Sequence, residues 1–91
     1  MAAAFLLIPA AAPAQVAEAD AAWNQGRYGA AREAYLRALT QDPASVRASY
    51  RLGVLAAWDG NLDSALTYLA QARAADPDDP DVRAMQAQVL S

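Results

Sequence analysis

Four of the ten acidic residues lie in one short stretch, Asp76-Pro77-Asp78-Asp79-Pro80-Asp81. Carboxylate oxygens are the ligands that Ca²⁺ prefers, but the stretch lacks the central Gly and the closing Glu of an EF-hand loop. The same residues also fit a turn followed by a helix start, with Asp79 as the N-cap, Pro80 at the first helical position and Asp81 in the first turn. We favour the turn, and we predict neither a metal site nor a cofactor.

The side chains that most often act in catalysis are missing from this sequence. It contains no His and no Cys, which removes the commonest general base and any thiolate or disulfide. The stretch from Gly26 to Gly29 is too short to form a phosphate-binding loop. All seven basic residues are Arg and the net charge is −3, so the basic surface typical of nucleic-acid-binding proteins is absent. The composition therefore favours a binding protein over an enzyme. It also predicts that the partner is not a nucleic acid.

The best candidate for a binding surface is a stripe along one predicted helix, Val46–Trp58. Arg47, Tyr50, Val54 and Trp58 follow one another in steps of three and four residues, so they share one side of that helix. A second stripe on another side consists of Leu52, Gly53 and Ala56. A helix with apolar groups on two sides either packs on both or presents one to a partner. Both alternatives stay open, because aromatic residues at helical spacing are often part of a core.

The helices that would carry these residues belong to a unit that recurs 34 positions later in the chain. Gly26 recurs as Gly60, and the large apolar Tyr35 recurs as Leu69. A self-match at one fixed period is the signature of a stacked-repeat protein. The other positions that we assign to the repeating framework are Ala31, Pro43, Leu52, Gly53, Ala65 and Pro77.

The order of the framework residues in the second unit resembles the tetratricopeptide repeat. The resemblance covers roughly residues 12–91. It implies an all-α fold, an α-solenoid of antiparallel helix hairpins with about five helices. The helical domain would span residues 15–91, with repeats at about 12–45 and 46–79 and a partial third at 80–91.

The resemblance also implies a concave face, lined by the first helix of each repeat, that binds a protein or a peptide. Its positions fall on Arg47, Tyr50, Arg51, Val54 and Trp58 in the second repeat, and on Val16, Asp20 and Trp23 in the first. Family members that clamp a carboxylate use Lys, Asn and Arg for this purpose. This chain has no Lys, so that clamp is not expected, although its arginines remain able to pair with an acidic group.

Helical periodicity and breaker residues predict helices at Val16–Asn24, Tyr28–Thr40, Val46–Trp58, Leu62–Ala75 and Asp81–Leu90. Ser45 is expected to be the N-cap of the third helix. We expect Tyr28 and Leu62 to begin the buried stripes of their helices. Gly53 lies in mid-helix, where Gly costs about 1 kcal/mol relative to Ala. In the family this Gly allows two helices to cross closely, so we expect Gly53→Leu to lose about 1–3 kcal/mol or more.

The first 14 residues, MAAAFLLIPAAAPA, have a composition of their own. An apolar run from Ala2 to Ile8 precedes Ala12-Pro13-Ala14, which has the small-x-small form of a signal-peptidase site. The alternative is a disordered Ala/Pro tail, since no Lys or Arg follows Met1. A signal peptide would send the protein out of the cytoplasm, to a bacterial periplasm, and a retained tail would leave it cytoplasmic. The apolar run is too short for an integral membrane segment.

A second function class stays open beside peptide binding. Solenoids usually need about three repeats for stability, and two and a half repeats could leave apolar ends that a second copy covers. The chain would then be a self-association module that forms a homo-oligomer. It could also be the N-terminal fragment of a larger envelope or outer-membrane protein.

Overall fold

A computed structural model describes residues 11–91 of the chain, which form five α-helices and no strand. The helices are α1 (Ala11–Asn24), α2 (Tyr28–Gln41), α3 (Val46–Trp58), α4 (Leu62–Ala75) and α5 (Pro80–Leu90). α1 packs against α2, α3 packs against α4, and α2 and α4 each contact the helix that follows them. The predicted all-α fold built from helical repeats is confirmed. The first ten residues of the candidate signal segment lie outside the described residues.

The first helix begins earlier than the sequence predicts. α1 starts at Ala11 instead of Val16, so Pro13 lies inside its first turn. The first four backbone N–H groups of a helix have no partner within the helix, so a Pro at such a position removes no hydrogen bond. The start of α1 at Ala11 is therefore compatible with Pro13.

In each repeat, one glycine lies in the turn that reverses the chain between the two helices. Gly26 and Gly60 have φ angles of +75° and +80°, in the left-handed region that side chains with a Cβ rarely adopt. In each turn the next N–H bonds back to a carbonyl of the preceding helix, Arg27 to Ala22 and Asn61 to Ala56, at 2.8 and 2.9 Å. Equivalent glycines thus build equivalent turns in the two repeats.

Short polar side chains fix the starts of three of the helices. The Ser45 hydroxyl accepts a hydrogen bond from the Ala48 N–H at 3.2 Å, and Asn61 accepts one from the Ser64 N–H at 3.2 Å. The Asp79 carboxylate accepts from the N–H groups of Asp81 and Val82, at 2.9 and 3.1 Å. The acidic stretch therefore starts α5, as the turn interpretation predicts. Within residues 11–91, no three acidic side chains converge as metal ligands would.

The core between the helices is thin and rich in alanine. Its largest fully buried side chains are Tyr35 and Leu69, which occupy equivalent positions in α2 and α4. A Cβ placed on Gly53 would lie 2.8 Å from the Leu69 Cγ, which is closer than side chains pack. α3 and α4 therefore approach each other at this glycine. Ala65 is also fully buried beside this contact.

Two apolar residues that the sequence places in buried stripes are largely exposed. Leu62 and Tyr28, the first residues of α4 and α2, are 51% and 41% exposed. The first turns of α2 and α4 lie at the edges of their hairpins, where the buried stripes end and side chains are exposed to solvent. Throughout the described part of the chain, no helix combines the length and the apolar character that crossing a bilayer requires.

Candidate functional site

A polar network joins the first three helices on the side where α1 and α3 lie. The buried Tyr35 hydroxyl of α2 donates a hydrogen bond to the Asp20 carboxylate of α1. The second oxygen of Asp20 accepts from the Arg47 guanidinium of α3 at 3.1 Å. Burial raises the pKa of Tyr35, and the hydrogen bond to Asp20 raises this pKa further. Tyr35 therefore remains a protonated donor at physiological pH, and Asp20 holds Arg47 in place.

Three aromatic rings, Trp23, Tyr28 and Trp58, form what we call the aromatic cluster. The Trp23 and Trp58 ring centroids lie 5.4 Å apart with a 31° tilt. Tyr28 meets both rings edge to face, at 5.3 and 5.4 Å. The Arg51 guanidinium carbon lies 4.1 Å from the Trp23 ring centroid, which is a cation–π geometry. The cluster thus joins α1, α2 and α3, yet Trp58 stays 58% exposed.

A groove of about 330 Å³ opens between α3 and the start of α5. We call it the α3–α5 groove. It is lined by Val46, Arg47, Tyr50, Arg51, Asp79 and Asp81. One wall carries two guanidinium groups and a tyrosine, and the other wall carries two carboxylates.

The structure divides most of the predicted concave residues into two groups. It buries one residue, Val54, in the core. Arg47, Tyr50 and Arg51 line the α3–α5 groove. The other group, at the aromatic cluster and its polar neighbour, consists of Trp58, Trp23 and Asp20. The α1 residue Val16 is half-buried and packs against the core.

Val54 lies in the core, at only 6% exposure, and does not present its side chain to a partner. The reason is visible in the repeat register. Val54 occupies the position of Asp20, 34 residues earlier, and Leu69 occupies the position of Tyr35. The polar pair Asp20 and Tyr35 of the first repeat is therefore replaced in the second repeat by two buried apolar residues.

Sequence reasoning missed three residues of this surface: Tyr28, Asp79 and Asp81. The repeat itself contained a signal for one of them. Asp81 stands 34 positions after Arg47, so it occupies the same position on the next first helix. Applying the concave-face positions to the partial third repeat would have identified it.

A second groove, of about 360 Å³, lies on the other side of the hairpins, toward α2 and α4. Its apolar part includes Leu36 and Tyr68. Across it, Arg32 of α2 and Asp59 at the end of α3 form an exposed ion pair at 2.6 Å. This pair links the two repeats, and an exposed pair of this kind contributes little to stability.

The sequence matches the family model of the tetratricopeptide repeat over residues 22–89. The match includes both turn glycines, Gly53 and all of the residues that line the α3–α5 groove. No curated protein matches the sequence. The family match, the equivalent glycine turns of the two hairpins and the close approach at Gly53 agree, and the chain belongs to the tetratricopeptide repeat family.

Proposed function

We propose that this protein binds a segment of another protein, or a peptide, on the surface formed by α1, α3 and α5. Proteins with these repeats generally mediate protein–protein interactions and are typically scaffolds without catalytic activity. The observation that carries the proposal is the row formed by Arg47, Tyr50, Arg51 and Trp58 on α3. These four side chains face the groove or solvent, whereas the opposite side of α3 packs against α4.

The residue types in this row suit a protein interface. Arg, Tyr and Trp are enriched in interface centres and among the residues that contribute most of the binding energy. Trp58 offers a mostly exposed indole whose inner edge is already held by Trp23 and Tyr28. An aromatic group fixed in this way loses little conformational freedom when a partner packs on it.

The arginines of the row are also held before a partner arrives. Arg47 is anchored by Asp20, and Arg51 lies over the ring of Trp23. Both guanidinium groups are therefore already ordered, and a partner that binds them has less entropy to offset. This preorganisation supports a recognition surface, since the side chains would otherwise be long and mobile.

Selection of peptides on the immobilised protein tests the proposal. We expect a random peptide library to yield binders whose affinity falls about tenfold or more in the Trp58→Ala variant, because an anchoring Trp typically contributes at least about 1.4 kcal/mol. Leu62→Ala is the matched control, since Leu62 is similarly exposed but lies on α4. Binders that lose affinity with Leu62→Ala and not with Trp58→Ala would place the interface on the other side of the molecule.

We also propose that the protein is exported, on the basis of the apolar run and the Ala12-Pro13-Ala14 site in the sequence. Cleavage after Ala14 would remove the first four residues of α1 and leave Gln15 as the N-terminus. Expression of the chain in a bacterium followed by mass spectrometry of the periplasmic fraction would show this product. An uncleaved protein in the cytoplasm would contradict the export proposal and leave the binding proposal intact.

A further inference from the structure

The two walls of the α3–α5 groove carry opposite charges that do not meet. Arg47 and Arg51 lie on the α3 wall, and Asp79 and Asp81 lie on the α5 wall. Within residues 11–91, the ion pairs closer than 4.0 Å are Arg32–Asp59, Arg37–Glu18 and Arg47–Asp20, so neither groove arginine pairs with a groove aspartate. The groove thus keeps complementary charges apart.

Hydrogen-bonding capacity is left over on both walls. The Arg51 guanidinium lies over the Trp23 ring and, among the described residues, forms no ion pair closer than 4.0 Å. Arg47 uses Nη1 on Asp20 and remains about half exposed. On the other wall, the Oδ1 atom of Asp79 accepts both capping bonds, and Asp81 is exposed. Charge-assisted hydrogen bonds from these two arginines to a carboxylate of a partner are therefore available at the groove.

The charges on this surface alternate from one helix to the next. Arg47 and Asp81 occupy the same position on consecutive first helices, and Asp20 faces Arg47 from α1. Along α1, α3 and α5 the surface is therefore negative, then positive, then negative. A ligand with only acidic groups would gain from the arginines and be repelled by the aspartates, and a purely basic ligand would meet the reverse.

Resting on the proposed function, we propose that the α3–α5 groove selects a peptide segment that carries an acidic and a basic side chain together. The acidic side chain pairs with Arg51 and Arg47, and the basic side chain pairs with Asp81 and Asp79. In an extended peptide, residues two positions apart point to the same side, so the preferred ligand carries opposite charges at positions i and i+2.

Peptide selection against matched variants tests this inference. Among peptides selected on the wild-type protein, opposite charges at i and i+2 should be enriched about fivefold over the unselected library. The enrichment should disappear on the Arg51→Gln and Asp81→Asn proteins. It should persist on Arg83→Gln and Asp78→Asn, because these exposed side chains do not line the groove. Replacing either charge of a selected peptide by Gln should weaken binding about fivefold, and more at 50 mM than at 500 mM salt.

The outcomes separate this inference from the broader proposal. Two outcomes would overturn the inference and leave peptide binding intact. In the first, selected peptides depend on Trp58 but show no charge pairing. In the second, binding is insensitive to both Arg51→Gln and Asp81→Asn. Enrichment of acidic residues alone would also overturn it, since that result assigns the site to the arginines without the aspartates. The absence of any selected peptide would overturn both.

Discussion

Gly53 shows how a single missing side chain determines the distance between two helices. A Cβ at this position would lie 2.8 Å from Leu69 Cγ and 2.9 Å from Leu69 Cδ2, with the Ala65 carbonyl at 3.4 Å. We predict that Gly53→Ala destabilises the fold by about 1–2 kcal/mol, because overpacking outweighs the gain of about 1 kcal/mol in helix propensity. Urea denaturation of the variant would measure this loss, which should be larger for Gly53→Leu.

The same substitution at Gly29 provides the control. Gly29 is the second residue of α2, and nothing lies within 4 Å of the position of an added Cβ. Gly29→Ala should therefore stabilise the protein by up to about 1 kcal/mol. Equal changes in stability for the two variants would contradict the close packing of Gly53 against Leu69.

Tyr35 is the residue through which the site is connected to the core. Its hydroxyl is bound to a charged group, so Tyr35→Phe should cost about 1.5–3 kcal/mol at neutral pH. Because its pKa is raised above the ordinary value of about 10, this contribution is fully present below pH 10 and is lost as the pH rises toward the folded-state pKa. Denaturation of both proteins between pH 7 and 11 should show their difference narrowing above pH 10. A difference that stays constant would contradict this assignment.

At the scale of the elements, the sequence predicted four of the five described helices to within one residue at each end. α3 and α4 have the predicted bounds, and α2 and α5 are each one residue longer. These helices have breakers and caps at their ends, such as Gly60, Ser45 and Asp79. α1 begins five residues before the predicted Val16. Its start carries no such marker, and the first turn of a helix accepts Pro13.

The candidate site was predictable only in part, for a reason that also lies in the elements. Helical spacing and the family resemblance identify which side of α3 carries Arg47, Tyr50 and Trp58. They do not show that Tyr35 donates a hydrogen bond to Asp20, nor that Val54 is buried in the core. Both results depend on how one helix packs against another. The periodicity of one helix shows which side is buried, but it does not identify the residue that each side chain contacts on another helix.

One missing cap distinguishes otherwise equivalent helix starts. Arg27 precedes α2 with φ −89° and ψ 72°, and Asn61 precedes α4 with φ −89° and ψ 81°. Asn61 caps its helix, whereas Arg27 makes no side-chain capping bond. We predict that Arg27→Asn stabilises the protein by about 1 kcal/mol and raises its melting temperature by about 4–8 °C. Asn61→Ala should have the opposite effect, and no change in either variant would show that these caps do not limit stability.

At the scale of the whole molecule, the alternative of self-association has one structural feature in its favour. Leu90 is 70% exposed, and within α5 only Val82 is buried. If α5 binds a second copy, light scattering at micromolar concentration should give a dimer, and Leu90→Asp should dissociate it. The peptide-binding account predicts a monomer under the same conditions, with peptide affinity unaffected by Leu90→Asp.

The most direct test of the central claim is a map of the bound peptide on the folded protein. Amide chemical shifts of the isotope-labelled protein would be recorded with and without a selected peptide. The account predicts that the largest changes fall on α1, α3 and α5, at Arg47, Tyr50, Arg51, Trp58 and Asp81. Changes concentrated on α2 and α4, around Leu36 and Tyr68, would contradict it, because they would place the partner in the groove on the opposite side.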